Sequence, residues 1–173
     1  SGNALSLLQE PVLMQATLEM LEAHKFGHLP AQDLVQALDL LARIGLMGNN
    51  ADQLMKEGAF APLLKFLTTS DNPEILKAAA KVLAKLSNKE EIAALLARLA
   101  DIRALIQAMR THFKEQEFLK YAVYLLGNLA VDDKIKQLIG IEGGVVVIVQ
   151  CLTAYMPNKD LISNCCYSLG TLS

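Results

Sequence analysis

His24 and His28 stand four residues apart, a spacing that on a helix would put two imidazoles on one face for a metal ion. The intervening Phe26-Gly27 and the following Pro30 make a loop instead, no glutamate follows His24, and no cysteine lies nearby. Solvent-exposed loop histidines are therefore expected, and no metal site. A cysteine nucleophile would need Cys151, Cys165 or Cys166 to meet His112 and an orienting acid. Cys165 and Cys166 fall on an apolar helical stripe, where buried small hydrophobes are expected. His112 stands alone at a helix end, where partial positive charge suits the dipole. No phosphate-binding glycine pattern surrounds Gly143-Gly144, and a kink between helices accounts for the pair. Asp132-Asp133 reads as the cap of a following helix. Acid, base and nucleophile nowhere assemble, so neither an enzyme nor a cofactor is expected.

The elements around these residues follow from composition and period. The 173 residues are 53% hydrophobic, enough for a continuous core. The longest apolar stretch, Val145 to Val149, is broken by Gln150, which suits a buried helix and no membrane insertion. With 16 basic and 18 acidic residues there is no global field for nucleic acid, and without Trp there are few stacking platforms for single strands. Three cysteines, two of them adjacent, give no disulfide framework, so reduced thiols in the cytosol or nucleus are expected. The opening Ser1-Gly2-Asn3 lacks Met and any secretory signal, and the chain reads as a segment of something longer.

Four stretches end alike, at Leu40–Gly45, Val82–Ser87, Leu125–Ala130 and Ser168–Ser173, their last residues 42, 43 and 43 apart. A second landmark, Gly58-Ala59-Phe60, Ala100-Asp101-Ile102 and Gly143-Gly144-Val145, keeps the same period. Between landmarks the apolar residues have helical spacing: Phe60, Leu63, Leu64 and Leu67, then Leu76, Ala79, Val82, Leu83 and Leu86. The layout recurs with Leu105, Ile106 and Met109 before Leu119, Ala122, Val123, Leu126 and Leu129, and with Ile148, Val149 and Leu152 before Ile162, Cys165, Cys166, Leu169 and Leu172. Short amphipathic helices are predicted at Ala51–Lys56, Glu90–Arg98 and Asp133–Gly140, and Pro30, Pro73 and Pro157 start the last helix of a unit. No apolar–polar alternation suggests a strand. Each unit is thus short helix, kink, helix, turn, longer helix, in a repeat solenoid. The approximate units are 12–57, 58–99, 100–142 and 143–173.

At two places the sequence resembles the armadillo repeat family. Asn50 through Leu64 is similar to the family's passage from first to second helix, and Tyr121 through Ala130 to its third-helix signature. The resemblance runs over roughly residues 12 to 173 and implies an all-α, right-handed superhelical solenoid of three-helix repeats, an α-α superhelix. Ala100 departs from the pattern where glycine is expected, which points to a straighter kink there. The first unit has a long link from Glu22 to Leu29.

The resemblance also implies a scaffold or adaptor role, with third helices lining a concave groove for a protein or peptide partner. On that geometry the outward rungs are Val35/Asp39/Arg43, Lys77/Lys81/Lys85, Lys120/Tyr124/Asn128 and Ser163/Tyr167/Thr171. Four lysines on two neighbouring rungs suit an acidic or phosphorylated ligand, while Asn128 could both donate to and accept from a peptide backbone. Solvation of an exposed helix face is the competing account of the lysines, and a bond to the neighbouring repeat that of Asn128. Importin-α-type members pair Trp and Asn at Asp39/Arg43, Lys81/Lys85, Tyr124/Asn128 and Tyr167/Thr171; only Tyr124/Asn128 is similar, so carriage of basic nuclear-localisation peptides is not expected. A structural or regulatory module is the alternative, acting through the repeat ends or the convex face, including self-association through an exposed C-terminal face.

Overall fold

Third helices run about four turns, and two of the four start at an asparagine cap. In the computed structural model, which describes residues 10–25, 27 and 29–173, they are α2 (Ala31–Ile44), α5 (Pro73–Leu86), α8 (Gln116–Leu129) and α11 (Lys159–Leu172). Each is 14 residues long. Asn72 caps α5, its side-chain oxygen accepting from the Glu74 and Ile75 amides at 3.0 and 3.4 Å, with Pro73 in the first position where no N–H is needed. Second helices are α1 (Glu10–Lys25), α4 (Phe60–Thr69), α7 (Ile102–Thr111) and α10 (Gly144–Ala154), and the short first helices are α3 (Asn50–Lys56), α6 (Glu90–Leu99) and α9 (Asp133–Ile141). Among the described residues there is no strand.

The third helices lie side by side in chain order, each packed on the next, and the second helices form the adjoining layer. A continuous core threads both layers from Met14 to Cys165. α5 is buried on two flanks, and Ala78, Ala79, Ala80 and Ala84 keep it slim enough for α2 and α8 to approach from opposite sides. On α8 the matching close approach is at Gly127, where an added Cβ would overlap Ser168 Oγ and lie 2.9 Å from Ser168 Cα.

The turn from first to second helix is made in two ways. Gly143 sits at φ +83°, a left-handed conformation that a side chain strains, and an added Cβ there would also collide with the Arg110 guanidinium. Arg110 donates to the Glu142 carbonyl at 2.9 Å, while Arg103 makes a two-pronged pair with the Glu142 carboxylate at 2.9 and 3.0 Å. Glu142's hydrogen bond and charge hold the Arg103 guanidinium above its ordinary value. At Ala100 the backbone is extended (φ −72°, ψ 134°) and Asp101 caps α7 by accepting from the Ala104 amide at 3.0 Å. Two residues without glycine thus still separate α6 from α7.

Several local expectations change. Helix α1 continues through Lys25, so His24 is helical, its Nδ1 3.3 Å from the Leu29 carbonyl and its ring edge-on to Phe66; His28 lies outside the described residues. The link after α1 is correspondingly shorter than Glu22–Leu29. Pro30 stands one residue before α2, and Pro157 precedes α11, which Asn158 caps through the Leu161 amide at 3.1 Å. Cys165 is buried but Cys166 is exposed, because one residue along a helix turns the side chain about 100° away from α8 and α10. Val145, Val146 and Val149 are exposed for a similar reason: α10 buries Val147, Ile148 and Cys151 instead. Among the described residues no single helix is long and apolar enough to cross a membrane, and α9 and α10 are bent by 65° at their junction.

The Gly127 contact predicts a contrast between two glycine-to-alanine changes inside helices. Gly127→Ala should lower stability by about 1–3 kcal/mol, since overlap with a backbone atom outweighs the better helix propensity. Gly140→Ala, with nothing within 4 Å of the new Cβ, should raise it by up to about 1 kcal/mol. Urea unfolding midpoints followed by circular dichroism measure both.

Candidate functional site

Of the expected rung residues, Tyr124 of α8 stacks on Tyr167 of α11 and shares a depression with Lys85 of α5, but the cations are not equivalent. Lys120 Nζ lies 2.9 Å from the Glu117 carboxylate and 4.8 Å over the Tyr121 ring, with 16% of its side chain exposed. Burial pulls its ammonium down, and the bond and charge of Glu117 with other neighbours lift it above its ordinary value. It is a positive charge already matched within the fold. Lys77 Nζ is 4.0 Å from Glu74, a loose surface pair. Lys81 and Lys85, one turn apart on α5, have no ion-pair partner among the described residues, and both are half-buried, their stems against the solenoid. Arg43 is exposed near the end of α2, where it and Asp39 line one shallow depression.

Beside the free lysines runs a polar chain that crosses three repeats. Tyr167 on α11 donates to Asn128 Oδ1 at 2.6 Å; Asn128 on α8 donates to Ser87 Oγ at 2.9 Å; Ser87, which caps α5, donates to the Ala84 carbonyl at 2.7 Å. The Tyr124 ring stacks on Tyr167 with centroids 5.0 Å apart, and its hydroxyl donates to Asn88 Oδ1 at 2.6 Å. Burial, then the Tyr124 hydroxyl, push the Tyr167 phenol up, so it stays a donor at neutral pH. Thr171 donates to the Gly127 carbonyl at 3.1 Å and Asn164 to the Lys120 carbonyl at 2.8 Å. Asn128 therefore bridges its neighbours through both ends of the amide, leaving one N–H and one lone pair for a ligand. Sequence reasoning missed Ser87, Asn88 and Asn164. Only Asn88, next to the repeated helix end, carried a local signal of its turn position.

Between Lys85, Asn88, Tyr121, Tyr124 and Asn164 the surface forms a shallow depression of about 190 Å³. It offers charge, amide and aromatic edge to a ligand, without a nucleophile–base pair. Among the described residues no three His, Cys, Asp or Glu side chains could hold a metal ion. His112 ends α7 edge-on to Phe118, and the buried Cys151 thiol is pushed up by its hydrogen bond with the free Cys165 thiol and by burial.

If the bridge fixes repeat against repeat, Tyr167→Phe and Asn128→Ala should each cost about 0.5–1.5 kcal/mol. Their double-mutant cycle should give a coupling of at least about 0.5 kcal/mol, and because the cycle cancels the helix propensity of Ala, urea unfolding of the four proteins measures the bond itself.

No protein-family model matches the sequence and no curated protein matches it. Among solved structures the chain is similar to a designed armadillo repeat protein, with TM-score 0.74 and 23% identity over 92% of this chain and 63% of that one. It is similar also to computationally designed armadillo repeat proteins for modular peptide recognition, at TM-score 0.74 and 22% identity over 92% and 63% of the two chains. A third is a designed armadillo repeat protein in complex with the peptide (KR)4, at TM-score 0.75 and 19% identity over 96% and 66%. The chain spans a little under two thirds of the length of these proteins. At such identities the likeness establishes architecture alone: the chain folds as an armadillo-type right-handed solenoid.

Proposed function

We propose that this chain is a protein-interaction module, not an enzyme, that holds an extended peptide across its third helices, and that the peptide is acidic or phosphorylated. The carrying observation is that Lys81 and Lys85 lie one turn apart with no ion-pair partner among the described residues, and that Lys85 lines the same depression as Tyr124, which stacks on Tyr167. Similarity to designed peptide-binding solenoids supports the binding mode, and one of those holds a basic peptide, (KR)4. Here α5 offers Lys81 and Lys85, so the complementary ligand carries the opposite charge. A phosphate, with a charge near −2 and three acceptor oxygens, suits two ammonium groups better than a single carboxylate does. The remaining N–H and lone pair of Asn128 suit a peptide backbone, and the prebuilt surface keeps the ordering cost of binding low. Reduced Cys151 and Cys165 in the core fit a reducing compartment, cytosol or nucleus, as the setting.

Fluorescence anisotropy with four labelled peptides tests this: a glutamate-rich one, a phosphoserine one, a neutral Gly/Ser one and (KR)4. The acidic and phosphorylated peptides should bind tightest and weaken as salt rises. Lys81→Glu/Lys85→Glu should lower their affinity about tenfold or more, with helicity unchanged. Equal binding of all four peptides, or no effect of the charge reversal, would overturn the proposal.

A further inference from the structure

The depression beside Lys85 has two kinds of wall. Tyr121 and Tyr124, about one turn apart on α8, bring aromatic rings to it, and Ala84 of α5 adds a methyl group. Tyr124 gives one face to Tyr167 and Tyr121 one face to Lys120. Their edges and remaining faces are left for a further ring, in the offset or edge-on geometry that aromatic pairs prefer. The other wall is polar. Lys85 and Asn88 stand at the end of α5, where the Asn88 amide donates to the Lys85 carbonyl at 3.3 Å. The Tyr124 hydroxyl donates to Asn88 Oδ1 at 2.6 Å, so both side-chain N–H bonds of Asn88 lack a partner among the described residues. Asn164 completes the lining, its nitrogen donating to the Lys120 carbonyl at 2.8 Å. No carboxylate lines the depression.

An ammonium and two amide N–H groups call for an anion, and the ring-lined wall calls for a flat apolar group. Both demands meet in one chemical unit, an aromatic ring that carries a phosphate, and about 190 Å³ is room for one planar side chain. We propose, resting on the proposed peptide-binding function, that the phosphorylated residue of the ligand is a phosphotyrosine. Its ring lies in the depression against Tyr121 and Tyr124, and its phosphate meets the Lys85 ammonium and the Asn88 N–H groups. Lys81, one turn back on α5, adds charge. A phosphoserine brings the same phosphate on a single carbon and leaves the depression empty. An unmodified tyrosine fills the depression but leaves Lys85 without a counter-charge. Free nucleotides also join a ring to a phosphate, but they lack the peptide backbone that the Asn128 amide suits.

Fluorescence anisotropy with peptides identical but for one residue tests this, that residue being phosphotyrosine, phosphoserine, tyrosine or glutamate, with AMP as a competitor. The phosphotyrosine peptide should bind about fivefold tighter than the phosphoserine one, the effect of one aromatic contact, and at least about tenfold tighter than the tyrosine one. Tyr121→Leu keeps an apolar side chain at a half-buried position. It should bring phosphotyrosine down to the affinity of phosphoserine and leave phosphoserine unchanged. Asn88→Asp, at an exposed turn, keeps an acceptor for Tyr124 and replaces the N–H groups by an anionic oxygen, so it should weaken phosphotyrosine binding at least about tenfold. Equal affinities for phosphotyrosine and phosphoserine, both above tyrosine, would overturn this inference and leave the acidic-peptide function standing. No binding of any charged peptide would overturn both. A phosphotyrosine preference indifferent to both substitutions would put the ring elsewhere, and displacement by AMP as effective as by unlabelled phosphotyrosine peptide would make this a nucleotide site; either result overturns the inference.

Discussion

A third helix in this solenoid must bury two opposite flanks at once, one against each neighbouring third helix, and still leave a strip for solvent. That requirement sets most of what is seen. The described third helices share one length, because a longer one would overhang its neighbours and a shorter one would uncover them. Small side chains collect on the flanks that meet: Ala80 and Ala84 on α5, Gly127 on α8, opposite Ser168 of α11. Larger side chains turn toward the second helices, where Phe60, Leu63, Ile106 and Met109 fill the layer between. Stability therefore resides in the contacts between units as much as within them, as expected where no repeat can bury its own faces.

Polar groups refine this packing at its solvent edge. The junction of α8 with α11 carries the Tyr167–Asn128, Thr171–Gly127, Asn164–Lys120 and Ser168–Val123 bonds, each spanning one repeat. Such bonds fix register as well as energy, since a slip of one helix along another would break them together. Asn164 of this junction also lines the candidate depression, and Tyr167 stacks on Tyr124 at its edge, so the surface offered to a peptide is held by the joint between repeats. Lys85 stands beside that joint, and among the described residues neither it nor Lys81 makes an ion pair.

Much of the architecture was legible because its determinants are local. Helical spacing of apolar residues, Pro73 after Asn72, Asp132 before α9, and two punctuation marks at a common period were enough to give the three-helix unit and the edges of the first helices within a residue or two. Burial was less legible, since it depends on what comes from elsewhere. Cys166 and Val149 carry the same apolar signal as Cys165 and Ile148, and only the placement of neighbouring helices separates them. The reach of α1 through Lys25 was obscured by the Phe26-Gly27 break that follows it. At the candidate site, sequence could nominate Tyr124, Tyr167 and Asn128 by spacing, but their partners lie 36 to 41 residues away. Nothing local tells Asn128 to choose Ser87 over solvent, or Lys120 to close on Glu117 while Lys85 stays free.

The central claim is that ligands are read by the strip of third-helix side chains around Lys81, Lys85, Tyr124 and Asn128. Backbone amide chemical-shift mapping during titration with a phosphoserine peptide tests it most directly. The account predicts perturbations concentrated on α5 and α8 and reaching Tyr167 on α11, with α3, α6 and α9 silent. Shifts clustered on the first helices, or on α10 with the third helices unmoved, would contradict it.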